Sequence, residues 1–286
     1  MSVSSTQVVD SGESAEAAEA LAPPKRRVTP WLRVNLRGLA FAIGLLVMLE
    51  ILTATVVTSA YVPRLSEVGG ALIYQLSGGE ILSGMGNTVW AYLRGLTIAI
   101  VLGVVLGAVL GASEFAYQLF RVVIEFLRPL PSVALIPFSI LILGVGSTTT
   151  IAMVVYASFW PILFNTYYGV RDVNEVTVDT ARSLGLSRIA VFFRVEIPSA
   201  AVNIAAGIRI SCAIALILVI TVEILTRSGG LGYFIVRMQV AIRTEDMYAG
   251  IFLVGMIGYI INLLVAFLER RLVFWNTDIR QAGGSR

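Results

Sequence analysis

Six stretches of this chain are apolar for about 20 residues each, the length that carries an α-helix across the hydrocarbon core of a bilayer. They lie near 37–59, 87–112, 122–143, 150–169, 200–224 and 248–268. No water at that depth can satisfy a stray backbone N–H or C=O, and a helix closes those bonds within one segment. Composition agrees: 57% of the 286 residues are hydrophobic and 14% are charged, against about 25% charged in a soluble domain. The expected fold class is all-α, a polytopic membrane protein with six transmembrane helices. Pro129, Pro131 and Pro137 interrupt the third stretch, which is expected to kink or to begin as an interfacial helix.

The same composition removes whole classes of chemistry. There is no histidine, so His-based acid–base catalysis, Ser-His-Asp triads and His metal sites are excluded. Cys212 is the single cysteine, so no intrachain disulfide forms. Lys25 is the single lysine and no glycine loop precedes it, so the chain lacks a Walker A nucleotide site. The chain is expected to be no enzyme, to hold no metal and to carry no cofactor of its own.

Residues 1–36 are expected to form a disordered cytoplasmic tail, since the first 24 are rich in Ser, Ala and Glu and have no apolar core. Residues 37–270 make up the membrane domain, and 271–286 a cytoplasmic C-terminal tail. With the N-terminus inside, fifteen of the 21 basic residues fall on cytoplasmic segments and four outside, at Arg64, Arg227, Arg237 and Arg243. That asymmetry puts both termini in the cytoplasm. Leu65, Val68, Leu72 and Leu76 recur at helical spacing in the first outer loop, which predicts a short helix on the outer surface. Gly103, Gly107 and Gly111 recur every four residues in the second span and mark a close-packing face for another helix.

Between the fourth and fifth spans runs a polar loop of about 30 residues, 170–198. Asp172 followed by Glu175 reads as a capping-box start for a helix that ends near Leu184. Gly185 can take positive φ and end it, Ser187 can cap a second helix, and Pro198 is expected to terminate that second helix. Val176, Thr180 and Leu184 share one face of the first helix, and Ile189, Phe192 and Phe193 add apolar contact from the second. Such a knob fits a groove on another protein. Two other readings are a DNA-binding helix-turn-helix, disfavoured because membrane spans tether both ends, and an amphipathic connector whose arginines meet anionic lipid.

Within this loop Asp179, Thr180 and Ala181 are followed at fixed spacing by Gly185, Val195, Ile197 and Pro198. The arrangement resembles the cytoplasmic EAA loop of ABC-importer permeases. The resemblance extends over residues 61–275 to the sulfonate/nitrate/taurine branch, through PLPSVALIPFSILILGVG (129–146), FWPILFNTYYGVRDV (159–173), AGIRIS…VEIL…SGGLGYFI (206–235) and the C-terminal apolar segment 250–275. It implies a type I ABC-importer permease fold in a bacterial inner membrane. It also implies a homodimer around a central pathway, an ABC ATPase dimer below it that binds the ATP and Mg, and an extracytoplasmic substrate-binding protein above. The loop residues that would couple to the ATPase are Asp179, Thr180, Ala181, Leu184, Gly185, Ser187 and Pro198. The substrate implied is a small solute, an anion such as an aliphatic sulfonate, taurine or nitrate. No nucleic-acid partner is expected. The alternatives are a secondary transporter or channel driven by an ion gradient, and a membrane-bound regulator.

Charged groups in lipid are costly and mark function or pairing. Arg94 and Glu125 are expected near interfaces, where they snorkel. Glu50 lies deeper and has no partner legible in the sequence. Arg209 and Glu223 lie on the fifth span and are pathway candidates for gating or structural pairing. Asn165, Tyr167 and Tyr168 on the fourth span are weaker ones, because polar groups there also bond to neighbouring helices.

Overall fold

The computed structural model of the protein describes residues 36–55, 61–78 and 80–272. The expected N-terminal tail and all but the start of the C-terminal one lie outside them. The chain divides into two units, 1–43 and 44–286, of which the first is described only by the opening turns of the helix α1 (Leu36–Thr55). Then come α2 (Leu65–Gly78), α3 (Glu80–Ala112), α4 (Glu114–Leu127), a 3₁₀ turn (Ser132–Leu135), α5 (Ile136–Leu143) and α6 (Ser147–Arg171). They are followed by α7 (Glu175–Ser183), α8 (Arg188–Val191), a π-helical turn (Phe192–Glu196), α9 (Ile197–Thr226), α10 (Gly230–Val240) and α11 (Thr244–Leu272).

Among the described residues, four helical stretches are long and apolar enough to cross a bilayer: α3, α6, the continuous Arg188–Thr226 and Thr244–Arg271. The third expected span is a broken one. Helix α4 and the segment Ser132–Leu143 meet at 82°, with Pro129 and Pro131, which withhold two backbone donors, at the break. The first expected span contains α1, whose apolar run Ile43–Thr55 is short for a crossing by itself; residues 56–59 of that span lie outside the described ones. Glu50, on the part of α1 in the second unit, has a partner the sequence did not reveal. It accepts from the Ser66 hydroxyl at 2.6 Å and from the Ser66 backbone N–H at 3.2 Å.

Helix α6 is the spine of the larger unit, packed on α3 along one side and on α9 along the other. Small residues set both seams. A Cβ at Gly103 would stand 2.8 Å from Ile162, one at Gly107 2.6 Å from the Leu163 carbonyl, and one at Gly111 2.8 Å from Val170. The every-fourth-residue glycines are thus where α3 lies backbone to backbone against α6. Gly169 of α6 and Gly207 of α9 do the same across the other seam. Ser211 donates to the Ser158 carbonyl at 2.7 Å between these helices. The main core joins Tyr92, Leu96, Val154, Cys212, Ala215 and Val219 from all three.

The predicted helix over 65–76 forms as α2. Val68 is buried and Leu72 packs against the cluster of Ile81, Leu231, Phe234 and Leu253. Its other inward residue is polar. Gln75 donates to Asp246 at 2.7 Å, and Asp246 also takes Arg243 Nε at 2.7 Å, which fastens α2 to the start of α11. Helix α11 buries Ala249 and Leu253 but leaves many of its large apolar side chains, among them Tyr259, Leu264 and Phe267, exposed in the described residues, as expected of a helix that also faces lipid or another chain.

Candidate functional site

The 170–198 loop folds as helix, glycine turn, helix. Its first cap differs from the sequence reading. Helix α6 runs on through Arg171, so Asp172 becomes its C-terminal cap, its N–H donating to the Tyr168 carbonyl at 2.9 Å. Asn174 caps α7 instead, with Oδ1 accepting from Val176 N–H at 2.9 Å. The end of α7 is a Schellman motif. Leu186 N–H reaches back to the Ala181 carbonyl and Gly185 N–H to the Arg182 carbonyl, and Gly185 has φ +84°. Ser187 Oγ then accepts from Ala190 N–H at 3.3 Å as the cap of α8.

Pro198 does not end the second helix. It sits in the first turn of α9, and helix continues from Arg188 to Thr226. The preceding turn makes this possible. Over Phe192–Glu196 the backbone widens to π spacing, with Ile197 N–H bonded to the Phe192 carbonyl, five residues back. That shift in hydrogen-bond register takes up the missing proline donor and makes room for its ring.

The seven residues expected to couple to an ATPase occupy different environments. Asp179, Thr180, Leu184, Gly185 and Ser187 are exposed, Pro198 is half-buried and Ala181 is buried. Asp179 pairs with Arg182 at 3.3 Å, and the Thr180 hydroxyl donates to the Val176 carbonyl. Ala181 belongs to the unit's own interior, where α7 packs on the segment 188–196. What the unit exposes is a row of large apolar side chains: Val176 (72%), Leu184 (79%), Ile189 (73%) and Phe193 (65%). A small polar loop does not ordinarily present such a face unless another surface covers it.

The four pathway candidates all have partners inside the fold. Asn165 donates to the Pro161 carbonyl at 2.8 Å at the point where α6 meets Gly207. Tyr168 is half exposed and stacks on Phe164. Arg209 forms an ion pair with Glu269 of α11, whose side chain is only 10% exposed. Glu223 is buried near the far end of α9. Its two oxygens accept from the Thr88 hydroxyl at 2.9 Å, and one also accepts from Gly232 N–H at 2.9 Å. Thr88 Oγ1 in turn accepts from Leu231 N–H at 2.8 Å. The carboxylate and the hydroxyl together cap the first turn of α10, which begins at Gly230 with φ +87°. The Ser-Gly-Gly-Leu-Gly sequence after α9 is therefore a turn built around one buried acid.

Beside Glu223 lies a cavity of about 330 Å³ that the sequence did not announce. Its walls are α3 (Asn87, Trp90, Arg94), the start of α6 (Ser147, Thr150) and the turn Ser228–Gly229. Arg94 reaches it from within α3, with its guanidinium over the Trp90 ring at 4.2 Å, so the arginine expected near an interface is a cavity-lining residue. The only signal available in sequence was a lone arginine within an apolar span.

Comparison with known proteins matches residues 99–274 to a family described as the binding-protein-dependent transport system inner membrane component. The aliphatic sulfonates transport permease protein SsuC of Escherichia coli (strain K12), itself described as putative, is 32% identical over 198 residues, covering 69% of this chain and 75% of that protein. The taurine transport system permease protein TauC of the same strain is 27% identical over 204 residues, covering 68% and 74%. The nitrate import permease protein NrtB of Leptolyngbya laminosa is 28% identical over 179 residues, covering 63% and 64%. In structure, a chain of the inward-facing MetNI methionine ABC transporter superposes with a TM-score of 0.57 at 17% identity, covering 67% of this chain and 95% of that one. That is a likeness of fold, the type I ABC-importer permease fold, seen here as α3–α11. With the matched region spanning most of the helical bundle and the whole polar loop, the chain belongs to the binding-protein-dependent transport system inner membrane components, the permeases of ABC importers.

Proposed function

We propose that this chain forms the translocation pathway of an ATP-driven importer for a small anion and is driven by a separate ATPase seated on residues 172–196. The observation that carries the reading is the apolar row Val176, Leu184, Ile189 and Phe193, held out by a glycine-turned helical pair between two long spans. A helical knob of this kind fits a groove. Movement of that groove would reach α6 and α9 directly, because α7 follows α6 by three residues and α8 runs without a break into α9. On this reading both termini are cytoplasmic, ATP and Mg are bound by the partner ATPase, and two copies of the chain surround the pathway. A substrate-binding protein delivers solute from the other side. The sulfonate, taurine and nitrate permeases among the relatives support a solute of that class.

The test is reconstitution. The full chain, co-expressed with a candidate ATPase and incorporated in liposomes with a binding protein, should take up labelled taurine or an alkanesulfonate only when ATP is inside the coupled compartment. Gly185→Leu should insert normally but lose ATPase co-purification and uptake together. A leucine is disfavoured at positive φ by roughly 1–2 kcal/mol, and its side chain would stand where a groove closes. Uptake that persists without any ATPase, powered by an ion gradient, would replace this reading with a secondary transporter.

A further inference from the structure

We infer that the cavity between α3, the start of α6 and the 228–229 turn is a solute site that binds a small organic monoanion through Arg94. The inference rests on the transport reading above, and its test separates the two.

The first argument is charge. Arg94 lies 14 residues inside α3, and among the described residues no carboxylate is within ion-pair distance of it. Three other arginines on or beside the spans are answered: Arg209 by Glu269, Arg171 by Glu114 and Arg237 by Glu80. A guanidinium stays charged at any working pH, and an unpaired one within a span is costly. The Trp90 ring beneath it offsets part of that cost. Its planar fork of donors remains, a geometry that matches the paired oxygens of a sulfonate or carboxylate.

The second argument is the helix that ends on the same cavity. Helix α6 starts at Ser147 after Gly146, and no side chain caps it. Its first-turn N–H groups and the positive end of its dipole therefore lie beside the space that Ser147 and Thr150 line. Two independent sources of positive potential thus converge on one concavity.

The third argument is size and lining. A volume of about 330 Å³ is at the small end of the range for organic ligands. It is more than a bare nitrate fills, and Trp90, Ala91 and Ile151 give a carbon stem an apolar wall. Arg94 sets the charge limit. It is the one cation among the residues that line the cavity, and the Glu223 carboxyl on the wall is held by Thr88 and Gly232. One guanidinium answers one negative charge on the ligand and leaves a second without a partner, so the site takes a monoanion and rejects sulfate.

The experiment is calorimetric titration of the full-length chain in lipid nanodiscs with ethanesulfonate, propionate and sulfate. Ethanesulfonate should bind, and propionate if the carboxylate head suffices. Sulfate should bind far more weakly. Arg94→Gln should weaken ethanesulfonate binding about tenfold or more, the scale of a lost charge-assisted bidentate contact, and Arg94→Lys should recover part of it. Arg121→Gln, on the surface of α4, should bind as wild type does. ATPase co-purification should be unchanged in Arg94→Gln, which also reports that the variant is folded. Equal binding by Arg94→Gln and wild type overturns the inference, as does wild-type protein that binds neither organic anion or binds sulfate as well. Failure of the transport reading has a different signature: no ATPase captured by the wild-type chain, whatever the titrations give.

Discussion

Thr88 and Glu223 are 135 residues apart in the chain and 2.9 Å apart in the fold, with the first amides of α10 bonded to both. This single knot joins α3, α9 and α10 at the end of the bundle away from the polar loop. It gives a buried acid a set of donors where lipid or protein surrounds it. Gln75 with Asp246 and Ser211 with the Ser158 carbonyl follow the same rule, each placed where another helix supplies its partner.

Thr88→Val keeps the side chain's shape and removes the hydroxyl. Leu231 N–H then loses its acceptor and Glu223 loses a donor, so the variant should be less stable by about 1–3 kcal/mol. The fall should be visible in the thermal unfolding midpoint in detergent, and Thr88→Ser should restore most of it. Equal midpoints for Thr88→Val and wild type would mean the knot holds nothing together.

The two kinds of glycine on α3 should respond in opposite ways to the same change. At Gly107 a methyl group would meet the Leu163 carbonyl at 2.6 Å, whereas at Gly86 nothing lies within 4 Å. Gly107→Ala should force α3 away from α6 and cost about 1–3 kcal/mol, the range for overpacking. Gly86→Ala should be neutral or stabilise by about 0.5–1 kcal/mol through helix propensity. Unfolding in graded denaturant compares them, and a Gly107→Ala protein as stable as wild type would contradict the packing described.

Arg209 and Glu269 fasten α9 to α11 by an ion pair whose acid side is the more buried. Arg209→Ala should therefore destabilise more than Glu269→Ala, because it strands the buried charge while the reverse change strands an exposed one. With Arg209 half exposed, about 1–2 kcal/mol is expected for Arg209→Ala. The paired change Arg209→Met with Glu269→Leu should recover most of the loss. A double-mutant cycle with no coupling would show the two helices to be held by apolar packing alone.

Leu184→Asp and Ile189→Asp change only exposed side chains, so both proteins should insert and unfold as wild type does. Each should lose capture of the ATPase, since a charge would be carried into an apolar groove. Asp179→Ala, whose side chain already spends its charge on Arg182, should have the smaller effect. Undiminished capture by both aspartate variants would leave the apolar row without a docking role.

The sequence by itself determined the class of the fold, four of the segments that can span, and the glycine turn of the loop. These depend on local chemistry: apolar length, hydrogen-bond closure within a helix, and the one residue type that readily takes positive φ at position 185. The spacing of Gly103, Gly107 and Gly111 was also legible, although not which helix would fill the groove. Local reading failed where a neighbour decides. Asp172 and Asn174 are both good caps, and only the length of α6 assigns the role to Asn174. Pro198 reads as a terminator until a π turn supplies the register shift that absorbs it. Glu50 finds Ser66, and Glu223 finds Thr88 and the α10 amides, through contacts between different helices that no spacing rule encodes. The cavity at Arg94 is of the same kind. An arginine within a span is visible in any sequence, but whether it meets an acid, as Arg209 does, or an open space beside an uncapped helix depends on how three separate helices pack around it.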